Sequence, residues 1–363
     1  MDPQITVPSG NETRLPRVLV VGCGGIGGIV TASLAHRAGA KMSELVALST
    51  NGEIAAITQR DGLSVQGAGE SFVTHARVLS QLAQDEAPFD FVLLCTQPTQ
   101  VEEAAQGVLA WLAPRGAMVC LQNGLCEQRI ARIAGADRVL GAVVAWGASM
   151  PSPGRYERTS RGGFMLGSLQ GGSDPRLRVL EGILEAVGPI KITENLAGVR
   201  FSKLAINSAI STLGTLGGAT LGSLLRHTLV RRLALEIMTE TVAVARAEGV
   251  QLEKVAGTLN LDWMALRDHE RRGGAGLMAK HAVLLAVGAK YRRMRSSMLA
   301  AIERGRPPAV DFLNGEVVVR GERCGVPTPV NKAATARVHA LARREAAPGY
   351  AQIEALARDV GLL

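Results

Sequence analysis

The chain has 363 residues, of which 47% are hydrophobic and 20% charged, and its formal net charge is +8. This composition predicts a globular protein of two domains and excludes the disordered and fibrous classes. The basic residues occur in short pairs, and aromatic residues make up only 3% of the chain. Since long basic runs and aromatic stacking surfaces are both missing, we expect no nucleic-acid partner. Small molecules are the expected partners, and a homodimer is left open.

The chain start and the cysteines indicate a compartment. Residues 1–15 are polar and contain proline, which predicts a flexible leader rather than a signal peptide. No apolar run reaches the length of a membrane span. The five cysteines form no CxxC pair and are interpreted as free thiols, and the six histidines lack paired metal-ligand spacing. We therefore expect a cytoplasmic protein without membrane attachment or bound metal.

Residues 16–195 alternate short apolar strands with amphipathic helices. Strand-like runs such as RVLVVG, ELVALS and FDFVLLCT are separated by helical patterns. This alternation is typical of an α/β domain with a Rossmann-like, doubly wound parallel sheet. From residue 196 to 363 long helical patterns replace the strands, which predicts an all-helical C-terminal domain. The last pattern, GYAQIEALARDVGLL, predicts a short amphipathic helix that packs on its own domain or on a partner.

A glycine-rich loop follows the first predicted strand and opens a helix. Gly22, Gly24 and Gly27 match GxGxxG, with Gly25 and Ile26 inside the motif. In such loops the glycines permit a tight turn, a close approach of the backbone to a pyrophosphate, and close packing of helix on strand. The alternative is a purely structural glycine turn. The position and context favour a dinucleotide site.

The end of the second predicted strand bears on the choice of dinucleotide. NAD sites usually carry an acidic residue there to bind the ribose 2′-hydroxyl. Here the strand ends in Ser49, Thr50 and Asn51, whose hydroxyl and amide groups can bind a 2′-phosphate. No arginine stands at this tip, although Arg60 follows nearby, and Glu53 keeps NAD in consideration. We expect NADP, with NAD as the alternative.

A second candidate site lies on the predicted helix FSKLAINSAIST. Lys203, Asn207 and Ser211 recur every four residues and therefore share one helix face among apolar neighbours. One interpretation is a solvent-exposed face with an extended lysine. The other is a stripe that lines a cleft, where the lysine donates a proton to a carbonyl oxygen while hydride reaches the carbon. The pattern alone favours the exposed face.

The order of these motifs resembles the ketopantoate reductase (2-dehydropantoate 2-reductase) family, of which the chain looks like a divergent member. The similarity runs from about Arg17 to about Arg344, through LQNGL, GVRFSKLAINSAI and RSSMLAAIERGRPPAVDFLNGEVVVRGERCGVPTPVN. The resemblance implies a Rossmann domain, a helical C-terminal domain and an active site in the cleft between them. It also implies that NADPH reduces a 2-oxo acid to a 2-hydroxy acid.

The resemblance assigns roles to individual residues. Lys203 is the implied catalytic proton donor, since it matches the family lysine that protonates the developing alkoxide. Asn123 is implied to lie between the nicotinamide and the substrate, and Asn207 and Ser297 to bind the substrate. Further expected ligands are Ser211 for the substrate and Thr96 and Gln97 for the cofactor.

Several positions depart from the family pattern. Ala309 replaces a family acid that acts near the lysine, the ribose and the substrate, whereas Asp311 remains. Ala301 replaces an aspartate, Ser211 a second asparagine, and Gln97 a lysine expected to bind the cofactor phosphate. The loss of these groups favours a bulkier or less hydroxylated carbonyl substrate, or an imine, over ketopantoate, and it weakens the preference for NADP. A non-catalytic dinucleotide sensor is the alternative from another class.

Overall fold

The described part of the N-terminal half combines twelve strands with five α-helices. A computed structural model describes residues 14–254 and 259–363, so the predicted leader at residues 1–15 lies outside the description except for its last two residues. The strands are β1 (Arg17–Val21), β2 (Glu44–Leu48), β3 (Leu63–Gly67), β4 (Glu70–Thr74), β5 (Arg77–Leu79), β6 (Phe89–Leu94), β7 (Leu112–Cys120), β8 (Val139–Val144), β9 (Ala148–Ser152), β10 (Arg155–Arg158), β11 (Phe164–Ser168) and β12 (Ile190–Ile192). The helices are α1 (Gly25–Arg37), α2 (Gly52–Asp61), α3 (Val101–Val108), α4 (Glu127–Ala134) and α5 (Pro175–Leu184).

Eight strands form the main sheet in the order β12-β11-β8-β7-β6-β1-β2-β5. The chain leaves β1 towards β2 and later returns to β6 on the other side of β1, which creates the topological switch point of a doubly wound fold. The pairs β1–β2, β1–β6, β6–β7 and β7–β8 are parallel, as predicted. The sequence predicted a parallel sheet throughout, and this prediction was wrong for one strand pair, because β11 runs antiparallel to β8.

A second, four-stranded sheet in the order β4-β3-β10-β9 was not predicted. Its hairpin β3–β4 turns through Gly67, Ala68 and Gly69, all of which have positive φ. This sheet covers α1, and a Cβ atom added at Gly28 would lie 1.9 Å from the Tyr156 ring. The Tyr156 hydroxyl donates a hydrogen bond to the backbone oxygen of Cys23, 3.2 Å away. This contact links the second sheet to the glycine-rich loop.

The described part of the C-terminal half is helical, as predicted. Its helices are α6 (Leu196–Gly217), α7 (Leu221–Leu224), α8 (Thr228–Ala247), α9 (Leu261–Met264), α10 (Asp268–Arg271), α11 (Ala275–Lys290), α12 (Ser297–Glu303), α13 (Asn314–Cys324), α14 (Pro329–Ala342) and α15 (Tyr350–Asp359). The predicted tail helix is α15, and it packs on its own domain, where Ile353, Leu356 and Ala357 join the buried core around α6 and α8. Within the described ranges, no helix combines the length and hydropathy needed to cross a bilayer.

Helix α6 joins the two halves. The last strand, β12, ends at Ile192, and α6 begins at Leu196. We therefore propose that the boundary between the two domains lies near residue 195. Leu196 and Val199 pack with Val143 and Met165 of the main sheet. Because the first turns of α6 lie against β8 and β11, the side chains of its next turn are brought to the carboxyl end of β8.

Candidate active site

The glycine-rich loop lies at the switch point of the main sheet, between the ends of β1 and β6. Gly22 has a φ of +97°, a conformation that side chains disfavour, and a Cβ atom there would lie 3.0 Å from Thr96. At Gly27 a Cβ atom would lie 1.8 Å from the Gly22 oxygen, so only glycine lets α1 pack this closely on β1. Both glycines therefore have a steric reason within the protein.

Gly24 differs, because a Cβ atom there would meet no protein atom within 4 Å. Gly24 caps α1 without a side-chain hydrogen bond, and the first turn of α1 carries no acidic residue. The first amide groups of this 13-residue helix are consequently available to an anion. The open space above Gly24 and the free amides fit the pyrophosphate of a dinucleotide.

The tip of β2 offers hydrogen-bonding groups without a cation. Ser49 is buried, and its hydroxyl lies 3.4 Å from the Asn51 backbone oxygen, whereas Thr50 is exposed. The Asn51 side-chain oxygen caps α2 by accepting from the Glu53 amide at 2.9 Å. Arg60 lies in the last turn of α2 and pairs with its neighbour Asp61 at 2.7 Å, so it is not placed at the tip.

The loops after β6 and β7 stand side by side. The Gln122 amide donates to the Thr96 hydroxyl at 3.2 Å, which ties the two loops together. Gln97 and Asn123 are exposed beyond this contact. Gly124 has a φ of +91°, and a Cβ atom there would lie 2.5 Å from the Phe312 oxygen. The short turn that contains Phe312 thus packs directly against the Asn123 loop.

Lys203, Asn207 and Ser211 share one half-buried face of α6. The Lys203 Nζ donates to the Val144 oxygen at the end of β8, 2.7 Å away. Burial, together with the nearby Arg200 cation, lowers the pKa of Lys203 to about 7. The exposed-face interpretation favoured by the pattern is therefore wrong, because the lysine contacts the Rossmann domain.

A buried ion pair lies beneath this lysine. Arg200 and Glu127 are each only 3% exposed and form a close ion pair. Arg200 also donates to the backbone oxygens of Gln122 at 2.8 Å and of Cys120 at 2.7 Å. Neither residue was predicted from the sequence. The only local signal was an arginine one helical turn before the lysine on an apolar helix.

The two adjacent serines before α12 differ in their surroundings. The Ser296 hydroxyl donates to the Ser211 backbone oxygen at 3.0 Å and lies 2.8 Å from the Thr215 hydroxyl. Ser297 is exposed at the first position of α12. Ser296 therefore fixes α12 to α6, while the neighbouring Ser297 side chain is exposed.

Ala309 is the residue at which the resemblance leads us to expect an acid. It is half-buried and begins the turn Ala309–Phe312, which packs on the Asn123 loop. Asp311 does not replace the acid, because its carboxylate lies 2.8 Å from the His339 ring on α14. Ala301 is half-buried within α12. The turn beside the Asn123 loop therefore carries Ala309 where the resemblance leads us to expect a carboxylate.

Two asparagines of the C-terminal motifs have structural positions rather than site positions. Asn314 and Asn331 are fully buried, and the Asn314 amide donates to the Asn331 side-chain oxygen at 2.9 Å and to the Ser208 backbone oxygen at 3.2 Å. Asn331 in turn donates to the Glu240 carboxylate at 2.7 Å. This network locks α13 and α14 to α6 and α8, behind the polar stripe.

The comparisons with known proteins agree with this arrangement. The family profile described as "Ketopantoate reductase PanE/ApbA" matches residues 18–171, and "Ketopantoate reductase PanE/ApbA C terminal" matches residues 195–342. The chain belongs to the ketopantoate reductase family. It is thus an oxidoreductase of a family that uses a nicotinamide dinucleotide.

Individual relatives are distant but cover nearly the whole chain. A 2-dehydropantoate 2-reductase of Mesorhizobium japonicum is 25% identical over 352 residues, which covers 90% of this chain and 98% of the relative. A ketopantoate reductase structure from Ralstonia eutropha JMP134 has a TM-score of 0.75 at 24% identity, covering 90% of this chain and 99% of that one. D-mandelate dehydrogenase with NADH and anilino(oxo)acetate has a TM-score of 0.75 at 18% identity, covering 94% and 99%. These structures share the fold.

Metal ligation has no candidate in the described ranges. No three histidine, cysteine, aspartate or glutamate side chains converge within residues 14–254 and 259–363.

Proposed function

We propose that this chain is an NAD(P)H-dependent reductase of 2-oxo acids, with Lys203 as the proton donor. The observation that carries the proposal is the position of Lys203, which is half-buried at the carboxyl end of β8 with its pKa lowered to about 7. A general acid is most effective when its pKa lies near the working pH. The names of the relatives, 2-dehydropantoate 2-reductases, support the same reaction class.

The glycine-rich loop and the first amides of α1 would hold the cofactor pyrophosphate, and Ser49, Thr50, Thr96 and Gln97 would contact its adenosine side. When bound, the reduced nicotinamide supplies the hydride. We propose NADP because no acid stands at the end of β2, and we keep NAD as the alternative because no cation stands there either.

The protein side chains have distinct tasks in this proposal. Lys203 binds the carbonyl oxygen, stabilises the negative charge that develops there, and transfers its proton to that oxygen. Asn207 and Ser211, one and two turns further along α6, orient the substrate. Ser297 binds the substrate carboxylate, and Asn123 stands between substrate and cofactor.

Ala309 favours a second candidate substrate class. With a methyl group in place of the family carboxylate and Asp311 in contact with His339, the turn Ala309–Phe312 would offer no free carboxylate to a substrate hydroxyl. We therefore propose a bulkier or less hydroxylated carbonyl compound, or an imine, as the alternative to ketopantoate.

The test is cofactor oxidation by the purified protein with ketopantoate, with NADPH and NADH in parallel assays. Efficient turnover supports the family activity, and the preferred cofactor decides between NADP and NAD. Turnover only with larger 2-oxo acids or imines supports the second candidate. Cofactor binding without turnover on the whole panel overturns the reductase proposal and indicates a dinucleotide sensor.

A further inference from the structure

Arg200 belongs to α6, yet its hydrogen-bond partners belong to the Rossmann domain. Its guanidinium donates to the backbone oxygens of Cys120 and Gln122 and pairs with Glu127 at the start of α4. Both side chains of this ion pair are almost fully buried at the interface between the two domains. Burying two charges is expensive, and well-packed apolar residues would join the domains as well or better. Stability alone therefore does not explain why a buried ion pair joins the domains at this place.

The two carbonyl contacts fix the backbone that leads to Asn123. Cys120 ends β7 and Gln122 directly precedes Asn123, so Arg200 holds the segment at two points, two residues apart. The Gln122 side chain passes this constraint to Thr96 in the loop after β6. One cation of the helical domain thus positions the loop that separates the proposed cofactor and substrate sites.

Arg200 also lies one helical turn before Lys203, and the two cations act on each other through a protein interior with little solvent. The titratable groups that act on Lys203 are Arg200 on its own helix, Cys120 at the end of β7, and Glu127 on α4. Burial raises the pKa of the Cys120 thiol well above its usual value, so this group is neutral at pH 7. The charge near the lysine is consequently set by Arg200, which disfavours the ammonium, and Glu127, which favours it.

We propose that the Arg200–Glu127 pair is a positioning unit for the reaction, which holds the Asn123 segment against the lysine helix and sets the balance of charge around Lys203. The proposal rests on the proposed function in so far as Lys203 is the proton donor. In this proposal neither Arg200 nor Glu127 contacts the substrate, because both side chains are almost fully buried.

The charge balance makes opposite predictions for the two partners. Arg200→Gln removes a cation and leaves the carboxylate, so the alkaline midpoint of the pH profile of kcat/KM should rise by about one pH unit. Glu127→Gln leaves the cation and should lower the midpoint by a similar amount. The double variant should return towards the wild-type midpoint, and Arg200→Lys, which keeps the charge, should stay near it. A merely structural pair would reduce activity in both single variants without moving the midpoint in opposite directions, and that result overturns the proposal.

Arg320 provides a matched control. It is 4% exposed, pairs with Glu316 at 2.8 Å and Glu248 at 2.7 Å, and reaches across to Gln128 of the Rossmann domain at 2.7 Å. Arg320→Gln also removes a buried cation with two ion pairs and one interdomain hydrogen bond, so thermal unfolding should show a comparable loss of stability. Its pH midpoint should match that of the wild type. A midpoint shift as large as that of Arg200→Gln would assign the effect to interface damage and overturn the proposal.

A readout without substrate separates this inference from the proposed function. Competitive acetylation with acetic anhydride over a pH series, followed by mass spectrometry, reports the titration of Lys203 in the free protein, with the exposed Lys290 as internal reference. The midpoint of Lys203 acetylation should rise in Arg200→Gln and fall in Glu127→Gln, as predicted for the midpoint of kcat/KM. If these shifts occur although no carbonyl compound is reduced, the charge balance holds and the proposed function fails. If neither midpoint moves, the inference fails whatever the activity.

Discussion

The Nζ of Lys203 donates a hydrogen bond to the backbone oxygen of Val144, 2.7 Å away, and this contact joins the helical domain to the end of β8. Since Val144 is the last residue of a strand two places from the switch-point strand β6, the lysine reaches the edge of the sheet where the cofactor loops lie. The carbonyl oxygen of Val144 accepts a hydrogen bond from the ammonium without carrying a charge that would neutralise it.

Replacing Lys203 should separate chemistry from binding. We expect Lys203→Met to lower kcat/KM about 10²- to 10⁴-fold, because the proton donor is lost, while cofactor affinity measured by fluorescence stays unchanged. The variant should also unfold at a temperature about 2 °C higher, since a buried ammonium no longer opposes folding. Wild-type turnover in Lys203→Met would exclude the proton-donor role.

The pH dependence of the reaction follows from the lowered pKa of Lys203. The lysine must be protonated to act as the acid, so carbonyl reduction should be constant well below pH 7 and fall above the pKa of about 7. Oxidation of the 2-hydroxy acid, which requires the neutral amine, should rise over the same range. Steady-state kcat/KM from pH 5.5 to 9 in both directions measures this, and a flat profile would contradict it.

Restoring the acid at Ala309 tests its effect on substrate choice. We expect Ala309→Glu to raise kcat/KM for ketopantoate by about tenfold, which corresponds to about 1.4 kcal/mol, because a carboxylate can accept a hydrogen bond from the substrate hydroxyl. Ala309→Leu fills the same space without an acceptor and serves as the control. Equal responses of both variants would show that volume rather than the acceptor determines the preference.

Gln97 tests the cofactor preference. A lysine at this exposed position after β6 should bind a 2′-phosphate, so Gln97→Lys should raise the preference for NADPH over NADH by about tenfold. Gln106→Lys adds the same charge on the exposed face of α3 and should leave the ratio unchanged. Comparison of kcat/KM with both cofactors gives the result, and equal ratios in the two variants would place Gln97 away from the phosphate.

The buried network around Asn314 should control stability. Asn314→Ala leaves the Asn331 oxygen and the Ser208 carbonyl without their donor, and we expect a loss of about 2–3 kcal/mol in the free energy of unfolding. Glu322→Ala on the same helix breaks only an exposed pair with Lys332 and should change it by less than about 0.5 kcal/mol. Urea denaturation measures both, and similar values would contradict the assigned role.

Local patterns were sufficient for much of the fold. The α/β alternation, the helical second half and the loop of Gly22, Gly24 and Gly27 were correctly predicted, because strand periodicity, helix periodicity and tight turns depend on residues close in the chain. The antiparallel β11 was not predicted, since strand direction depends on the path of the connection. The second sheet was missed although LSVQGAGESFVT alternates around a glycine turn, because its third partner, β10, is distant in sequence.

The candidate site, like the fold, could be predicted from the sequence only in part. By itself, the sequence determined that Lys203, Asn207 and Ser211 share one face of α6, since this follows from helical spacing. Only the tertiary structure decided that this face meets the end of β8, and that Arg200 pairs with Glu127, 73 residues earlier in the chain. The pKa of Lys203 depends on that packing, because burial lowers it first of all, and the charges of Arg200 and Glu127 then act on it in opposite directions. A helical pattern specifies which residues lie together, but the medium and the charges they face are properties of the assembled interface.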